Sequence, residues 1–410
     1  MTRFRPLGLV TAAVLTVAAV TAGCSGPTAE PDPTALPGPA QSTVQPSASP
    51  GTPSARPTPE PAPEPTPEPT AGEPDLSLVD GWTLEEKAGQ IVMVGLPVAG
   101  PFQPTFDMLR DQKIGGVFLH GRTTAGRQPV KNLVDAAVGA AAQRQPLFVA
   151  TDQEGGAVQV LRGQGFSDIP SALDQAELSA PDLRERSRTW GAELAAAGVN
   201  LNLAPVLDLV PQATASSNAP VGVFGRNYGY TADSVITHGN AFAEGQRDAG
   251  VQTSIKHFPG LGRVTGNTDD TAGVTDAVTG PDDPSVDVFS AGIEAGSGLV
   301  MMSSAVYTKI DPDAPAVFSP VAVGLVRELG FDGVIISDDL SAAVQVQRVP
   351  AGARAVRAVD AGVDIVLASA KPSAAPVMVD ALVRAARDDP DFAAKVDAAA
   401  ARVVAAKADL

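Results

Sequence analysis

A single (β/α)8 barrel is the fold class that this sequence predicts, and three observations predict it. Short Val- and Ile-rich runs alternate with longer helical patterns from about residue 76 to the end of the 410-residue chain. The runs read as strands buried on both faces, which is the signature of a parallel sheet covered by helices. There are about eight of them, and no Pro-rich break divides the region into smaller domains. That length exceeds an ordinary domain but suits an α/β barrel folded as one unit. An open, doubly wound sheet is the runner-up.

The chain begins with a targeting pattern. Arg3 and Arg5 precede an apolar run from Leu7 to Val20, which leads to Thr21-Ala22-Gly23-Cys24. The run is short and rich in small residues, so it reads as a signal segment over 1–23 rather than a membrane span. Small residues before a lone cysteine look like a bacterial lipobox. Cleavage before Cys24 and acylation there would then anchor the exported chain to the outer face of the cytoplasmic membrane. Cys24 is the only cysteine, so the folded part has neither a disulfide nor a thiolate metal site. Residues 24–75 are dominated by Pro, Thr, Ser, Ala and Glu, as in PTPEPAPEPTPEPTAGEP. Such a segment buries too little apolar surface to offset its ordering entropy, and it is read as an extended tether.

The barrel domain is assigned to 76–410. Thr83 and Glu86 form a capping box for a short helix ahead of the first strand. Candidate strands follow at Gln90 to Leu96, Ile114 to Leu119, Pro146 to Ala150, Val199 to Leu203, Gln252 to Ile255, Leu299 to Met302, Gly333 to Ile336 and Val363 to Leu367. Pro181 to Ala197 and Ser319 to Leu329 are among the helices between them. A net charge of −17 with 44% hydrophobic residues permits a large core and argues against nucleic acid or anionic surfaces as partners. No cofactor is implied, scattered histidines argue against a metal site, and a monomer is expected.

Active sites of such barrels lie at the carboxyl ends of the strands. Those ends carry Asp152 and Glu154 in TDQEGGAVQVLRG, Asp208 in NLAPVLDLV, Lys256 and His257 in SIKHFPG, Ser303 and Ser304 in MMSSAVY, and Asp338 and Asp339 in GVIISDDLS. Carboxylates from several strands meeting a lysine and a histidine make a hydrogen-bonding pocket of the kind sugar recognition needs, and glycoside cleavage uses paired carboxylates. Thr253 to Asp276, which breaks from a strand at Pro259-Gly260 into a polar segment with Asn267, Asp269 and Asp270, reads as a catalytic loop on this scaffold. Glu154, beside two glycines, is read as serving its turn, Asp208 as ordering its loop or touching ligand, and His120 and His238 as structural or surface residues.

Together the DQEGG run, APVLDL, KHFPG and GVIISDDLS, in that order from about Trp82 to the last strand, resemble the bacterial β-N-acetylglucosaminidases of glycoside hydrolase family 3, especially the single-domain lipoprotein type. The resemblance implies Asp338 as the nucleophile of a retaining double displacement and Asp152, Lys256 and His257 as ligands of sugar hydroxyls, and Asp339 is read as a supporting or surface charge. It implies β-N-acetylglucosaminyl glycans or muropeptides as substrates. The family places a histidine acid/base on the loop after the fifth strand, with an aspartate two residues before it. Here those positions hold Asp269 and Asn267. Asp269 is the provisional acid/base, with Asp270 as the fallback. Arginines of many relatives are replaced by Ala157 and Val160 and are absent from VGVFG, and Arg226 nearby is a candidate replacement. A sugar-binding or scaffold lipoprotein without turnover is the alternative to the enzyme.

Overall fold

The computed structural model describes residues 72–141, 144–408 and 410; the signal segment, Cys24 and all but the end of the tether lie outside the described residues. Eight parallel strands close into a barrel: β1 (Val92–Pro97), β2 (Gly116–His120), β3 (Phe148–Thr151), β4 (Leu201–Asn202), β5 (Gln252–Phe258), β6 (Leu299–Met302), β7 (Val334–Asp339) and β8 (Ile365–Ala368). Each strand pairs with its neighbours in sequence, and β8 closes on β1 through Val92–Val366 and Val94–Ala368. Helices Gln103–Asp111, Arg127–Ala140, Ala180–Ala195, Ala232–Asp248, Pro284–Glu294, Pro320–Glu328, Ala351–Ala361 and Ala375–Asp388 follow the strands in turn, and Pro390–Ala406 ends the chain. The architecture is therefore the predicted (β/α)8 barrel, not an open sheet.

Local chemistry explains where the helices start. Thr83 and Glu86 form the expected reciprocal cap, with bonds of 2.8 and 3.2 Å. Ser319 accepts the Ala322 amide at 3.1 Å and Pro320 opens the helix, where its missing N–H costs nothing. Most strands begin one or two residues later than their apolar runs do. Ile114, Leu147, Val199 and Val363 are fully or almost fully buried, but they pack under the barrel ahead of the first paired residue. Burial and ladder pairing are different demands, and hydrophobicity reports only the first.

Two strands run three residues further than the sequence predicts, β5 to Phe258 and β7 to Asp339, and both carry a bulge. On β5 the pairing with β6 shifts register between Lys256 and Phe258, and on β7 the pairing with β8 shifts between Ile336 and Asp339. Bulges re-aim side chains at the rims of barrels. Here they occur where Lys256, His257 and Asp338 reach the mouth.

At the opposite end, the last helix closes the barrel floor with Lys407. Its ammonium is buried, donates to the Gly115 carbonyl and sits 4.9 Å from the centre of the Phe148 ring. Burial pushes this lysine down to about 7, against about 10.4 in an unfolded chain. Between those values the unfolded chain binds more protons, so this group makes stability rise with pH. Lys407→Met should remove that contribution. The wild-type advantage over the variant should grow from pH 7 to 10 with a limiting slope of about 1.4 kcal/mol per pH unit, read by denaturant titration at several pH values.

Candidate active site

The cleft at the carboxyl ends of the strands has a volume of about 340 Å³, at the small end for ligand pockets. Its floor is apolar, with Phe118, Leu203, Met301 and Leu367, and its walls are polar, with Asp152, Arg226, Lys256, His257, Asn267, Asp269, Asp338 and Asp339. Strand ends that are far apart in sequence thus meet around one space. Asp270 does not line it; that residue is exposed and accepts the Thr271 hydroxyl at 2.8 Å.

A buried ion-pair cluster forms one wall. Glu154 is held by Arg226 through Nε and Nη2, both at 2.8 Å, and by Lys256 Nζ at 2.7 Å. Lys256 also reaches Asp152 at 2.7 Å. Burial alone would push the Glu154 carboxyl up, but Arg226 and Lys256 beside it hold it at about 2. Burial likewise works against the Lys256 charge, and Asp152 and Glu154 overcome it and raise that group. Arg226 Nη1 donates to the Pro220 carbonyl at 2.7 Å. A guanidinium has five N–H groups, so with three spent in this way Arg226 still has donors to present to a ligand.

Asp208 fixes the second wall from beneath. It is fully buried and accepts the His257 and Leu261 amides at 3.1 and 2.7 Å, and the His257 Nδ1 at 2.7 Å. With Nδ1 donating to a carboxylate, Nε2 is the nitrogen left for a ligand. Asp339 plays a comparable part below Asp338. It accepts from the Ser341 amide and hydroxyl and from the amides of Ala342, Ser369 and Ala370, which leaves Asp338 as the half-exposed carboxylate of the pair.

The loop after β5 brings Asp269 over this cleft. Asn218 donates to the Leu261 and Val264 carbonyls, both at 2.7 Å, and Tyr307 donates to the Gly260 carbonyl at 2.9 Å. Gly262 lies so close to Leu209 that a Cβ there would sit 1.9 Å from its carbonyl oxygen, and only glycine fits. Asn267 accepts the Asp269 amide at 3.1 Å and turns the chain there. Asp269 lines the cleft together with Asp338, Asp339, His257 and Arg226, although as a residue it keeps contact with solvent. Burial and the neighbouring Asp338 raise the Asp269 carboxyl to about 6, with Asp339 adding to the rise and His257 and Arg226 opposing it.

The structure brings Asp152, Arg226, Lys256, His257, Asp269 and Asp338 together around one cleft, all of them candidates from the sequence. One reading changes, and one pair of alternatives is decided. Glu154 does more than serve its turn, because its carboxylate clamps two cations of the cleft. Asp208 does not line the cleft and orders both His257 and the loop. Neither role has a sequence signal, since each depends on partners 49 to 102 positions away that only the closed barrel supplies. His238 is structural, with its ring nitrogens at the Ser234 and Leu178 carbonyls.

Fold and site together define a barrel with a carboxylate-lined, hydrogen-bonding mouth, which is the form of a carbohydrate-active protein. Residues 83–406 match the glycosyl hydrolase family 3 N terminal domain. The chain is 37% identical over 272 residues to a beta-hexosaminidase of Stenotrophomonas maltophilia strain K279a, covering 64% of this chain and 78% of that one. The crystal structure of a beta-N-acetylhexosaminidase from Beutenbergia cavernae superposes with a TM-score of 0.78 at 55% identity, over 79% of this chain and 98% of that one. A family 3 beta-N-acetylglucosaminidase from Paenibacillus sp. FPU-7 gives a TM-score of 0.72 at 29% identity, over 80% and 63%. The chain belongs to glycosyl hydrolase family 3.

Glu154→Gln should leave Arg226 and part of the Lys256 charge uncompensated in a buried place. The expected cost is on the order of 3 kcal/mol of stability, measured by denaturant unfolding. An unchanged midpoint would show that the cluster contributes nothing to the fold.

Proposed function

We propose that this chain is a retaining exo-β-N-acetylglucosaminidase that acts on cell-wall fragments, with Asp338 as nucleophile and Asp269 as proton donor and acceptor. The observation that carries the reading is the placement of Asp269 in the same cleft as Asp338, with its carboxyl raised to about 6. An ordinary aspartate near 3.9 would be protonated at pH 7 in only about one molecule in a thousand. A value near 6 makes that about one in ten, a gain of roughly a hundredfold in competent acid. The hexosaminidase names of the relatives support the substrate class, and the small volume of the cleft suits removal of a terminal sugar.

In the first step an Asp338 oxygen bonds to the anomeric carbon, the glycosidic bond breaks, and the leaving oxygen takes the Asp269 proton. In the second, Asp269 takes a proton from water, the water oxygen bonds to the anomeric carbon, and the bond to Asp338 breaks. Asp152, Lys256, His257 and Arg226 hold the sugar hydroxyls. An imidazole at the acid position needs a carboxylate to stabilise its charged form. An aspartate does not, which is consistent with Asn267 two residues before it. The lipobox-like segment ending at Cys24 and the Pro-rich stretch behind it support an exported enzyme tethered to the outer face of the cytoplasmic membrane.

Because the acid form of Asp269 is lost as pH rises through about 6, kcat/KM on an unactivated N-acetylglucosaminyl glycan should fall above that pH. Asp269→Asn should remove this alkaline limb and lower turnover of the glycan by about 10² to 10⁴-fold, while an aryl glycoside with a good leaving group loses much less. Asp338→Asn should abolish turnover of both. Unchanged aryl glycosidase activity in Asp338→Asn would overturn the nucleophile assignment, and sugar binding with no turnover by the native chain would overturn the enzyme reading.

A separate measurement addresses the acid position itself. The double change Asn267→Asp with Asp269→His introduces the histidine–aspartate pairing that the family resemblance implies, and it should move the alkaline limb of kcat/KM upward, toward imidazole values near 6.5 or above. A limb that stays near 6 would show that neither position governs proton transfer.

A further inference from the structure

The loop bearing Asp269 and the loop that follows the Asp338 strand are fastened to each other at a second place, outside the cleft. The Gln345 side chain accepts the Val274 amide at 2.9 Å through Oε1 and donates to the Val274 carbonyl at 3.1 Å through Nε2. Beside it, the Val344 amide donates to the Asp269 carbonyl and the Gln345 amide to the Thr268 carbonyl, both at 3.1 Å. Four hydrogen bonds thus join residues 268–274 to residues 344–345, and the side chain of Gln345 alone supplies two of them. A side-chain amide that meets both polar groups of one distant residue copies the pattern of a strand pair, and it specifies register as well as proximity. Gln345 does not line the cleft.

We infer that Gln345 is a positioning residue for the proposed acid/base: it pins the loop after β5 to the loop after β7 and so holds the Asp269 carboxyl beside Asp338. The inference rests on the reading of Asp269 as proton donor and deepens it. On one side of the pin, Asn218, Tyr307 and the close fit of Gly262 anchor the loop's root. On the other side, Thr275–Asp276 pairs with Val306–Tyr307 in a small sheet. Between these anchors the backbone of 267–269 is held against the barrel through residues 344–345. The Gln345 side chain fixes the far end of this span at Val274, next to the backbone bonds of residues 344 and 345 to Asp269 and Thr268. The charged groups that face Asp269 are Asp338 and Asp339 from β7, His257 from β5 and Arg226 from the loop after β4. Withdrawal of the loop would take Asp269 out of that field and into water, and its carboxyl would return toward the ordinary range.

Gln345→Ala and Gln345→Glu in the full chain test this. The glutamate keeps an acceptor for the Val274 amide and loses the donor to its carbonyl, so it should fall between wild type and alanine. For Gln345→Ala the expected result is a loss of kcat on the order of 10²-fold on the unactivated glycan, a loss of only a few-fold on the aryl glycoside, and an alkaline limb displaced to lower pH. Equal losses on both substrates with the limb unmoved would show a merely structural role and overturn the inference. A readout independent of turnover is the Asp269 carboxyl resonance in ¹³C-labelled protein, identified by its loss in Asp269→Asn. Its midpoint should fall in Gln345→Ala, and an unmoved midpoint would overturn the pin. Wild-type protein inert on both substrates would instead overturn the function proposed above, and the carboxyl titration would still decide whether Gln345 places Asp269.

Discussion

The buried cluster of Glu154, Arg226, Lys256 and Asp152 is the interaction on which the site depends. It ties the segment after β3, the loop after β4 and the end of β5 into one unit. Removing such charges from water is costly, and only close mutual pairing offsets the cost. Each partner therefore constrains the others. Glu154 stays ionised because two cations surround it, and those cations stay charged because the carboxylates do. A cleft built in this way has rigid polar walls before any ligand arrives. Preorganisation of that kind is what recognition of a hydroxyl-rich ligand requires.

Rigidity on one side of the cleft contrasts with asymmetry on the other. Asp338 and Asp339 are neighbours on one strand, yet five donors engage Asp339 and the cleft receives Asp338. Asp339 thereby holds the backbone at the end of β7, where Asp338 stands half-exposed. Asp269 arrives from a different element and carries a carboxyl shifted upward by burial and by Asp338. A carboxyl raised by its surroundings, facing a second carboxylate, is a general arrangement for dividing acid and nucleophile roles. In the proposed mechanism these surroundings make an aspartate a competent acid, since a carboxyl in water would be a poor one at neutral pH.

The loop that carries Asp269 buries Leu261, Val264 and Val274 and is fastened by hydrogen bonds to other segments. Asn218 and Tyr307 hold its root, and Gln345 holds Val274 near its end. The packing of one catalytic segment on another makes the position of the proposed acid a property of two loops jointly. That coupling places the proposed proton donor and nucleophile under a common geometric constraint.

Sequence alone determined the barrel, because eight buried apolar runs with helices between them leave few other ways to bury both faces of a parallel sheet. It also determined which residues stand at the strand ends, because position along a strand is local information. Asp152, Lys256, His257 and Asp338 were legible for that reason. Only the tertiary structure decided what holds them. The roles of Glu154, Asp208, Asn218 and Gln345 rest on partners that barrel closure brings together from 43 to 102 positions away. The elevated Asp269 carboxyl is likewise a tertiary property. A protonation equilibrium depends on burial and on the charges in space around the group, and neither is written in the residues beside it.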